Sequence, residues 1–413
     1  MKNQNIIFII GIISVLIVST VFFAVFIFNE PVDTSRITVY RYQGFMGFGD
    51  INSPVYNSSA IDEKIFNEWG EKNGYKVKIV DTNDANALLS LLTLESNNPK
   101  ADVVIGLDNA LLALAKAEGY ANQILEPYRP KNSSQIRTDL VDQLDPNFLL
   151  TPIDYGALGF YYDTSIINDT IIPNLNNLTI DDLTDPTIAS QLILEDALSS
   201  SPGTGFLLWS IASHKMQNNL DSWETFWALL IENDDILITP SWNEGFNALL
   251  SQEVNRSILL SYATSPAYDN CIFDYNGTAT FFTKENGTTN SWLQIEGIGL
   301  VKNSPNPDAG KKFIDWMISS EVQKIIPVTN WMYPANTIAQ NELPACFNEA
   351  AINPDDLFTL NNVLRISEVQ NNIANWLEKW DIIIAGGSNY LIIKIHQIFI
   401  NDNNLISVVL RKD

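Results

Sequence analysis

The chain has 413 residues, more than one hydrophobic core ordinarily organises, so two lobes or two domains are expected. It carries 48 acidic against 24 basic residues, a formal net charge of −24. This balance argues against nucleic acid or anionic lipid headgroups as partners and is compatible with a cationic ligand, although most of these charges simply favour solubility.

An apolar run without a charge occupies residues 6–28. At ~1.5 Å per residue, a helix of this length crosses a ~30 Å hydrocarbon core. Lys2 precedes the run and Glu30 follows it, so the positive-inside rule places everything after residue 30 outside the cell. A cleaved signal peptide, which would leave the protein secreted or periplasmic, is the alternative; its apolar region is ordinarily ~7–15 residues long. We expect residues 1–30 to anchor the chain on the extracytoplasmic face of the cell membrane.

Seven Asn-x-Ser/Thr sequons fit an exterior location and make the chain a glycoprotein candidate, although an Asn-rich sequence produces such triplets by chance. They begin at Asn57, Asn132, Asn168, Asn177, Asn255, Asn276 and Asn286.

The two cysteines, Cys271 and Cys346, either pair outside the cell or remain buried thiols. Neither cysteine lies beside His214 or His396 in the sequence, so a Cys/His nucleophile or a zinc site is not indicated.

Strand and helix patterns alternate after a short linker. A strand-like run at 37–40 begins the series. Two further strand-like runs, at 76–80 and 101–106, flank a helix-like stretch at 84–92, which is the spacing of a βαβ unit. Residues 151–162 form a long strand-like run, interpreted as a crossover between lobes. A second series follows, with strands at 191–194, 235–239 and 257–261 and helices at 205–212, 222–230 and 243–250. A strand at 292–301 and helical segments at 307–317, 321–326 and 355–380 complete the pattern.

This order predicts an α/β protein of two lobes joined by a hinge, with the ligand in the cleft between them. We assign residues 37–153 and 269–380 to lobe 1 and residues 154–268 to lobe 2. Two unrelated tandem domains are the alternative. Residues 381–413 do not fit the scheme, and extra strands, a disordered tail or a fused reading frame remain open for this C-terminal tail.

Aromatic residues follow several predicted elements at the edge where ligands bind in α/β folds. Tyr42 ends the first strand, Trp242 and Tyr262 follow or end later strands, and Trp331 follows a helical segment. Amphipathic rings at such positions suit a flat, cationic small molecule. By contrast, helical periodicity assigns a second set of tryptophans to the core: Trp209, Trp223, Trp227 and Trp316.

Two polar segments are further candidates. Ser201 and Gly203 lie in a Ser/Gly-rich stretch before a helix, where N–H groups favour an anion, or where a simple N-cap suffices. Asp108 follows a strand and either holds a cation beside aromatic faces or caps a helix. The Gly-rich motif of nucleotide-hydrolysing proteins is absent from the sequence.

Five ordered blocks of sequence resemble the thiamine-binding proteins of ABC importers, within the periplasmic-type solute-binding proteins. They lie at 100–109, 154–156, 201–209, 260–268 and 330–334, and include Ser-Tyr-Ala-Thr-Ser-Pro-Ala-Tyr at 261–268 and Asn-Trp-Met-Tyr-Pro at 330–334.

The resemblance implies a type II two-lobe fold that closes on thiamine or its phosphates, with hinges near 154–160 and 262–268, and delivers the ligand to an ABC permease with its ATPase. No catalysis and no cofactor are implied. Aromatic residues would hold the rings, and Ser201 would lie on the phosphate side. The complete set of candidate ligand contacts is Tyr42, Asp108, Ser201, Gly203, Trp242, Tyr262, Ser265, Tyr268, Trp331 and Tyr333.

One departure concerns charge, because Gln43 stands where the family typically has a carboxylate. Asp50 or Asp108 would have to supply the missing charge, and another aromatic cation is an alternative ligand. A ferric-iron binder using tyrosine phenolates, a thiamine-cleaving enzyme with Cys271 as nucleophile, and a sensor without a permease are the remaining alternatives.

Overall fold

The computed structural model describes residues 34–47, 61–232, 236–251, 255–386, 395–400 and 406–410. The expected membrane anchor at 6–28 lies outside these residues. In the part of the chain that is described, no helix combines the length and the apolar character needed to cross a membrane.

The strands are β1 (Arg36–Tyr42), β2 (Lys76–Thr82), β3 (Val103–Asp108), β4 (Leu125–Glu126), β5 (Thr151–Asp163), β6 (Leu192–Glu195), β7 (Leu237–Thr239), β8 (Ile258–Tyr262), β9 (Thr278–Phe281), β10 (Thr283–Glu285), β11 (Thr288–Ser291), β12 (Leu293–Val301), β13 (Tyr333–Pro334), β14 (Phe358–Thr359), β15 (Ile395–Ile400) and β16 (Ile406–Leu410).

The helices are α1 (Ile61–Asn73), α2 (Ala85–Leu94), α3 (Asn109–Ala117), α4 (Ala121–Ile124), α5 (Thr138–Leu144), α6 (Pro186–Ala189), α7 (Ser201–Met216), α8 (Ser222–Glu232), α9 (Trp242–Ser251), α10 (Ser265–Phe273), α11 (Pro307–Met317), α12 (Ser320–Gln323), α13 (Thr337–Gln340), α14 (Ala345–Ala350) and α15 (Ile366–Gly386).

The largest sheet runs in the order β2-β1-β3-β12-β5-β8-β6-β7. Strands β1, β2 and β3 are parallel, as a βαβ unit requires, and β12 returns antiparallel between β3 and β5. On the other side of β5, strand β8 is antiparallel to β5 and parallel to β6. The sheet therefore consists of two halves that share β5.

Strand β5 is the crossover predicted from the sequence. Its first half pairs with β12 and β13, and its second half pairs with β8 and β9. Twelve of its thirteen residues are buried, which explains its continuous apolar pattern. Gly159 permits close packing here, because a Cβ atom at this position would lie 2.3 Å from Thr280 Cγ2.

Two large hydrophobic cores lie on either side of this strand. The first core includes Val39, Ile105 and Phe313, and the second core includes Phe160, Trp209 and Trp227. This arrangement is a two-lobe α/β fold, as predicted.

The proposed lobe boundaries stay a prediction. Residues Leu360–Trp380 of the segment assigned to lobe 1 contribute side chains, including Trp380, to the second core. In the C-terminal tail, α15 continues to Gly386, and β15 pairs antiparallel with β16.

The tryptophans assigned to the core lie there. Trp209, Trp223 and Trp227 are buried, and Trp316 packs against the first core. The helix expected to open at residue 205 begins instead at Ser201, because Pro202 in the first turn supplies a pre-set φ and needs no hydrogen-bonded N–H. The strands β9 to β11 were not predicted.

We predict that Trp209→Ala lowers the free energy of unfolding by about 3–5 kcal/mol, the usual result of deleting a buried large aromatic side chain. Trp209 is 0% exposed, and its indole N–H donates to Thr283 Oγ1 at 3.1 Å. Chemical denaturation would measure the change. The control Leu229→Ala, at a position 44% exposed, should change stability by less than about 0.5 kcal/mol. Equal effects of the two substitutions would contradict this assignment of the core.

Candidate functional site

A cavity of about 1060 Å³, counting the solvent in its mouth, is lined by residues from both halves of the sheet. Seven of the ten sequence candidates lie in its wall: Tyr42, Ser201, Trp242, Tyr262, Ser265, Tyr268 and Trp331. The structure thus brings together side chains that are up to 289 positions apart in sequence. That they contact a ligand remains a prediction.

The tyrosines and tryptophans reach the cavity from strand ends and helix starts. Tyr42 ends β1 and Tyr262 ends β8. Trp242 begins α9, stacks on Phe246 with ring centroids 5.0 Å apart, and donates its indole N–H to Ser261 Oγ at 2.9 Å. These contacts fix the indole plane, so one wall of the cavity presents an oriented aromatic surface.

A second aromatic pair closes another part of the wall. Tyr268 lies on α10, a helix where the sequence indicated a turn, and its ring meets Trp331 edge to face at 5.1 Å. Trp331 has a φ of 57°, a left-handed conformation that a bulky residue rarely adopts. Its neighbour Asn330 helps to hold this segment, since its Oδ1 accepts from the Met46 N–H at 2.9 Å and its Nδ2 donates to Asp154 Oδ2 at 2.9 Å. Such strain is common at functional sites.

Three candidates do not line the cavity. Asp108 caps α3, accepting from the Leu111 N–H at 2.7 Å, which is the alternative that the sequence left open. Gly203 lies inside α7, where a Cβ atom would be 2.5 Å from the Glu195 carbonyl oxygen. Tyr333 packs against Phe347 in the first core.

The N-terminus of α7 shows little room for an anion. The Ser201 N–H donates to Asp84 Oδ1 at 3.1 Å, and the Ser201 hydroxyl donates to Asp108 Oδ2. Gln294 Nε2 in turn donates to Ser201 Oγ at 3.2 Å. Carboxyl groups therefore already occupy the donors for which the sequence suggested a phosphate.

Several wall residues were missed by the sequence analysis. They are Asp84, Tyr161, Asp269, Gln294, Glu296 and Asn330. Glu296 and Gln294 had a usable signal, because they are the polar members of the otherwise apolar strand β12 and lie two residues apart on one face. Asp84 directly precedes α2 and was read as part of that helix.

Carboxyl groups converge behind the aromatic wall. Glu296 on β12 is the register partner of Asp108 on β3 and of Asp154 on β5, so three acids lie side by side across neighbouring strands. Tyr42 donates its hydroxyl to Glu296 Oε2 at 3.0 Å. Glu195, at the end of β6, is buried, and neither of its carboxylate oxygens has a hydrogen-bond partner among the described residues. Acids placed opposite one another repel when both are ionised.

Burial raises the pKa of these groups, since a carboxylate loses its hydration inside the protein. The pKa of Asp84 and of Asp108 rises to about 6, and that of Asp154 to about 7. Burial also holds the pKa of Glu195 and of Glu296 well above the usual range, and nearby acidic charges add to both shifts. Near neutral pH Asp154 is therefore partly protonated, and burial favours the protonated form of Glu195 and Glu296 as well.

Basic side chains do not compensate these acids. Within the described part of the wall there is no lysine, arginine or histidine. Arg41, on β1, directs its guanidinium to Asp81 at 2.9 Å and to the Phe45 carbonyl oxygen at 2.8 Å. The cavity is consequently suited to a ligand that brings its own positive charge.

Metal binding and thiol chemistry receive no support from the described residues. No group of three or more His, Cys, Asp and Glu side chains within them is arranged to hold a metal ion. The phenol pKa of Tyr42 and of Tyr262 is raised well above its usual value by burial and by the nearby acids, which opposes phenolate ligation of iron. Cys271 and Cys346 form a disulfide, so Cys271 offers no free thiol as a nucleophile.

Comparisons with known proteins agree with this geometry. The profile of the family described as bacterial extracellular solute-binding protein matches residues 53–324. The thiamine-binding periplasmic protein of Salmonella typhimurium is 30% identical over 331 residues, covering 78% of this chain and 86% of that protein. The thiamine-binding periplasmic protein of Escherichia coli is 29% identical over 365 residues, covering 87% and 95%. A solved periplasmic thiamin binding protein superposes with a TM-score of 0.65 at 25% identity, over 84% of this chain and 96% of that one.

The buried acid Glu195 predicts a characteristic pH dependence of stability. Above a pH of about 4 the unfolded chain ionises this glutamate while the folded chain keeps it protonated, so the folded state loses stability as pH rises toward the raised pKa. Glu195→Gln removes the titration and preserves the shape. Thermal unfolding should therefore show the variant to be more stable than the wild type at pH 8, and the difference should shrink as the pH falls and disappear below about pH 4, where the unfolded chain also keeps the proton.

The matched control is Glu378→Gln, at an exposed position in α15. This variant should follow the wild-type dependence on pH. A constant difference between Glu195→Gln and the wild type across the same range would show that Glu195 does not titrate as proposed.

Proposed function

The chain belongs to the family of bacterial extracellular solute-binding proteins, and we propose that it binds thiamine, or a phosphate of thiamine, between its two lobes and delivers it to an ABC permease with its ATPase. The family match covers well over half of the chain. The relatives named above are called thiamine-binding proteins, which supports the choice of ligand.

The observation that carries the proposal is an aromatic cavity backed by uncompensated acids. Thiamine joins a cationic thiazolium ring to an aminopyrimidine ring, so it presents two flat faces and one fixed positive charge. Trp242, Tyr262, Tyr268 and Trp331 supply aromatic faces, and the carboxyl of Glu296 lies in the wall beside them. A cation between rings gains up to about 2 kcal/mol when water is excluded, and a nearby carboxylate adds to that gain. Glu296 and Asp84 would thus supply the carboxyl group that the family typically has where this chain has Gln43.

Binding in this proposal needs no catalysis and no cofactor. Ligand binding would shift an existing equilibrium from the open toward the closed form, with residues 154–160 of β5 and residues 262–268 as the hinge. Ferric iron fits the site less well, because the tyrosines act as phenol donors rather than phenolates.

An extracytoplasmic location follows the family, and the anchor at residues 6–28 is part of the proposal. Glycosylation at this location is part of the proposal as well. The sequon asparagines within the described residues are exposed, which would leave them accessible: Asn132, Asn168, Asn177, Asn255, Asn276 and Asn286.

Titration of residues 31–386 with thiamine tests the proposal directly. We expect saturable binding at micromolar ligand or below, visible in calorimetry and in the fluorescence of the wall tryptophans Trp242 and Trp331. Tyr262→Ala should raise the Kd about tenfold or more, because one aromatic face of the cavity is lost. Absence of saturable binding to the wild type, or a coloured ferric complex in its place, would refute the proposed ligand.

Tyr120→Ala is the control for that variant. Tyr120 is 39% exposed and does not line the cavity. Its replacement should leave the Kd unchanged. An equal loss of affinity in both variants would show that Tyr262 has no specific role.

A further inference from the structure

Helix α10 contributes three residues to the cavity wall, Ser265, Tyr268 and Asp269. The helix nevertheless buries few apolar side chains. Its buried residues are Pro266, Ala267 and Ile272, while Phe273 at its end is 59% exposed. A helix with such a small buried surface gains little stabilisation from packing. Interactions other than apolar packing therefore contribute to its position, among them the hydrogen bonds that Asp269 Oδ2 accepts from the Tyr161 and Thr278 hydroxyls.

A covalent bond is a further such interaction. Cys271 on α10 is joined to Cys346 on α14, 75 residues further along the chain. Asn270 Nδ2 reinforces the connection by donating to the Cys346 carbonyl oxygen at 2.8 Å. On the far side, Phe347 of α14 is buried in the first core and packs edge to face on Tyr333. The disulfide therefore joins α10 to α14, whose one buried side chain, Phe347, lies in the first core.

The disulfide lies close to the residues of α10 that line the cavity. Tyr268 precedes Cys271 by three residues, so both project from the same side of α10. The Tyr268 ring supports Trp331 at 5.1 Å. One residue further, Asp269 Oδ2 accepts from the Tyr161 hydroxyl at 2.6 Å, which connects α10 to the second half of β5. Displacement of α10 would consequently disturb two walls of the cavity.

We propose that the Cys271–Cys346 disulfide is a positioning element of the binding cavity, holding α10 so that Tyr268 and Asp269 stay in the ligand-contacting wall. This inference rests on the proposed function. The bond acts through the helix and does not touch the ligand. Both cysteines are partly exposed.

The test compares oxidised wild type, the double variant Cys271→Ser/Cys346→Ser, and wild type that is reduced while folded and then reoxidised. We expect the Kd for thiamine to rise about tenfold in the double variant and in the reduced protein, and to return on reoxidation. Leu377→Ala, in the second core and away from α10, is the control for general destabilisation. Its Kd, measured well below its melting temperature, should equal that of the wild type.

Hydrogen exchange provides a readout that needs no ligand. In the double variant, amides of α10 should exchange at least about tenfold faster, while those of β5 remain protected. If oxidised wild type fails to bind thiamine, the proposed function fails, and the exchange pattern still decides the positioning role. An unchanged Kd with unchanged exchange in α10, loss of affinity equal to that of Leu377→Ala, or unfolding of the whole chain on reduction would each overturn the inference.

Discussion

The concentration of buried carboxyl groups behind one aromatic cavity is the constraint on which the site depends. Asp84, Asp108, Asp154, Glu195 and Glu296 come from five separate points of the chain, and four of them lie on or at the ends of strands of one sheet. Burying acids without basic partners is unfavourable, and the protein reduces this cost at Asp154, Glu195 and Glu296, where burial raises the pKa and so favours the protonated carboxyl. We expect a cation that enters the cavity to replace some of those protons, which would turn the unfavourable burial into a source of selectivity for positive charge.

The sheet explains how these groups converge. Strand β5 belongs to both halves of the molecule, so any residue near its centre lies at the junction of the lobes. Strand β12 runs beside it and places Glu296 opposite Asp154. The ends of β1 and β8 bring Tyr42 and Tyr262 to the same junction. Because the cavity spans the shared strand, rotation of one half against the other would change the distance between its walls, which links binding to closure.

The fold and much of the aromatic wall of the cavity could be predicted from the sequence alone, for identifiable reasons. Strand β5 is a long apolar run, and Tyr42, Trp242 and Tyr262 follow or end strands, so their placement needed only local pattern and the general position of ligand sites in α/β folds. The acids were harder to find. Glu296 is part of a cluster only because β12 returns between β3 and β5, and that register is not encoded in any local pattern.

Two of the candidates that do not line the cavity differ from expectation for similar reasons. Tyr333 shares a short motif with Trp331 and both belong to the first core, yet only Trp331 also lines the cavity. The left-handed backbone at Trp331 accompanies this difference, and a sequence does not display it. Gly203 was read as a loop residue exposing N–H groups, whereas Pro202 places it in the first turn of α7 against the Glu195 carbonyl. In both cases tertiary packing decided the outcome.

The central claim is that a bound cation displaces protons from the buried acids. Calorimetric titration with thiamine at pH 7, in two buffers with different enthalpies of protonation, measures the number of protons released on binding. The account predicts a measurable release, because burial raises the pKa of Asp154 to about 7 and holds that of Glu195 and of Glu296 well above the usual range. Saturable binding with the same heat in both buffers would show that no proton leaves, and would contradict it.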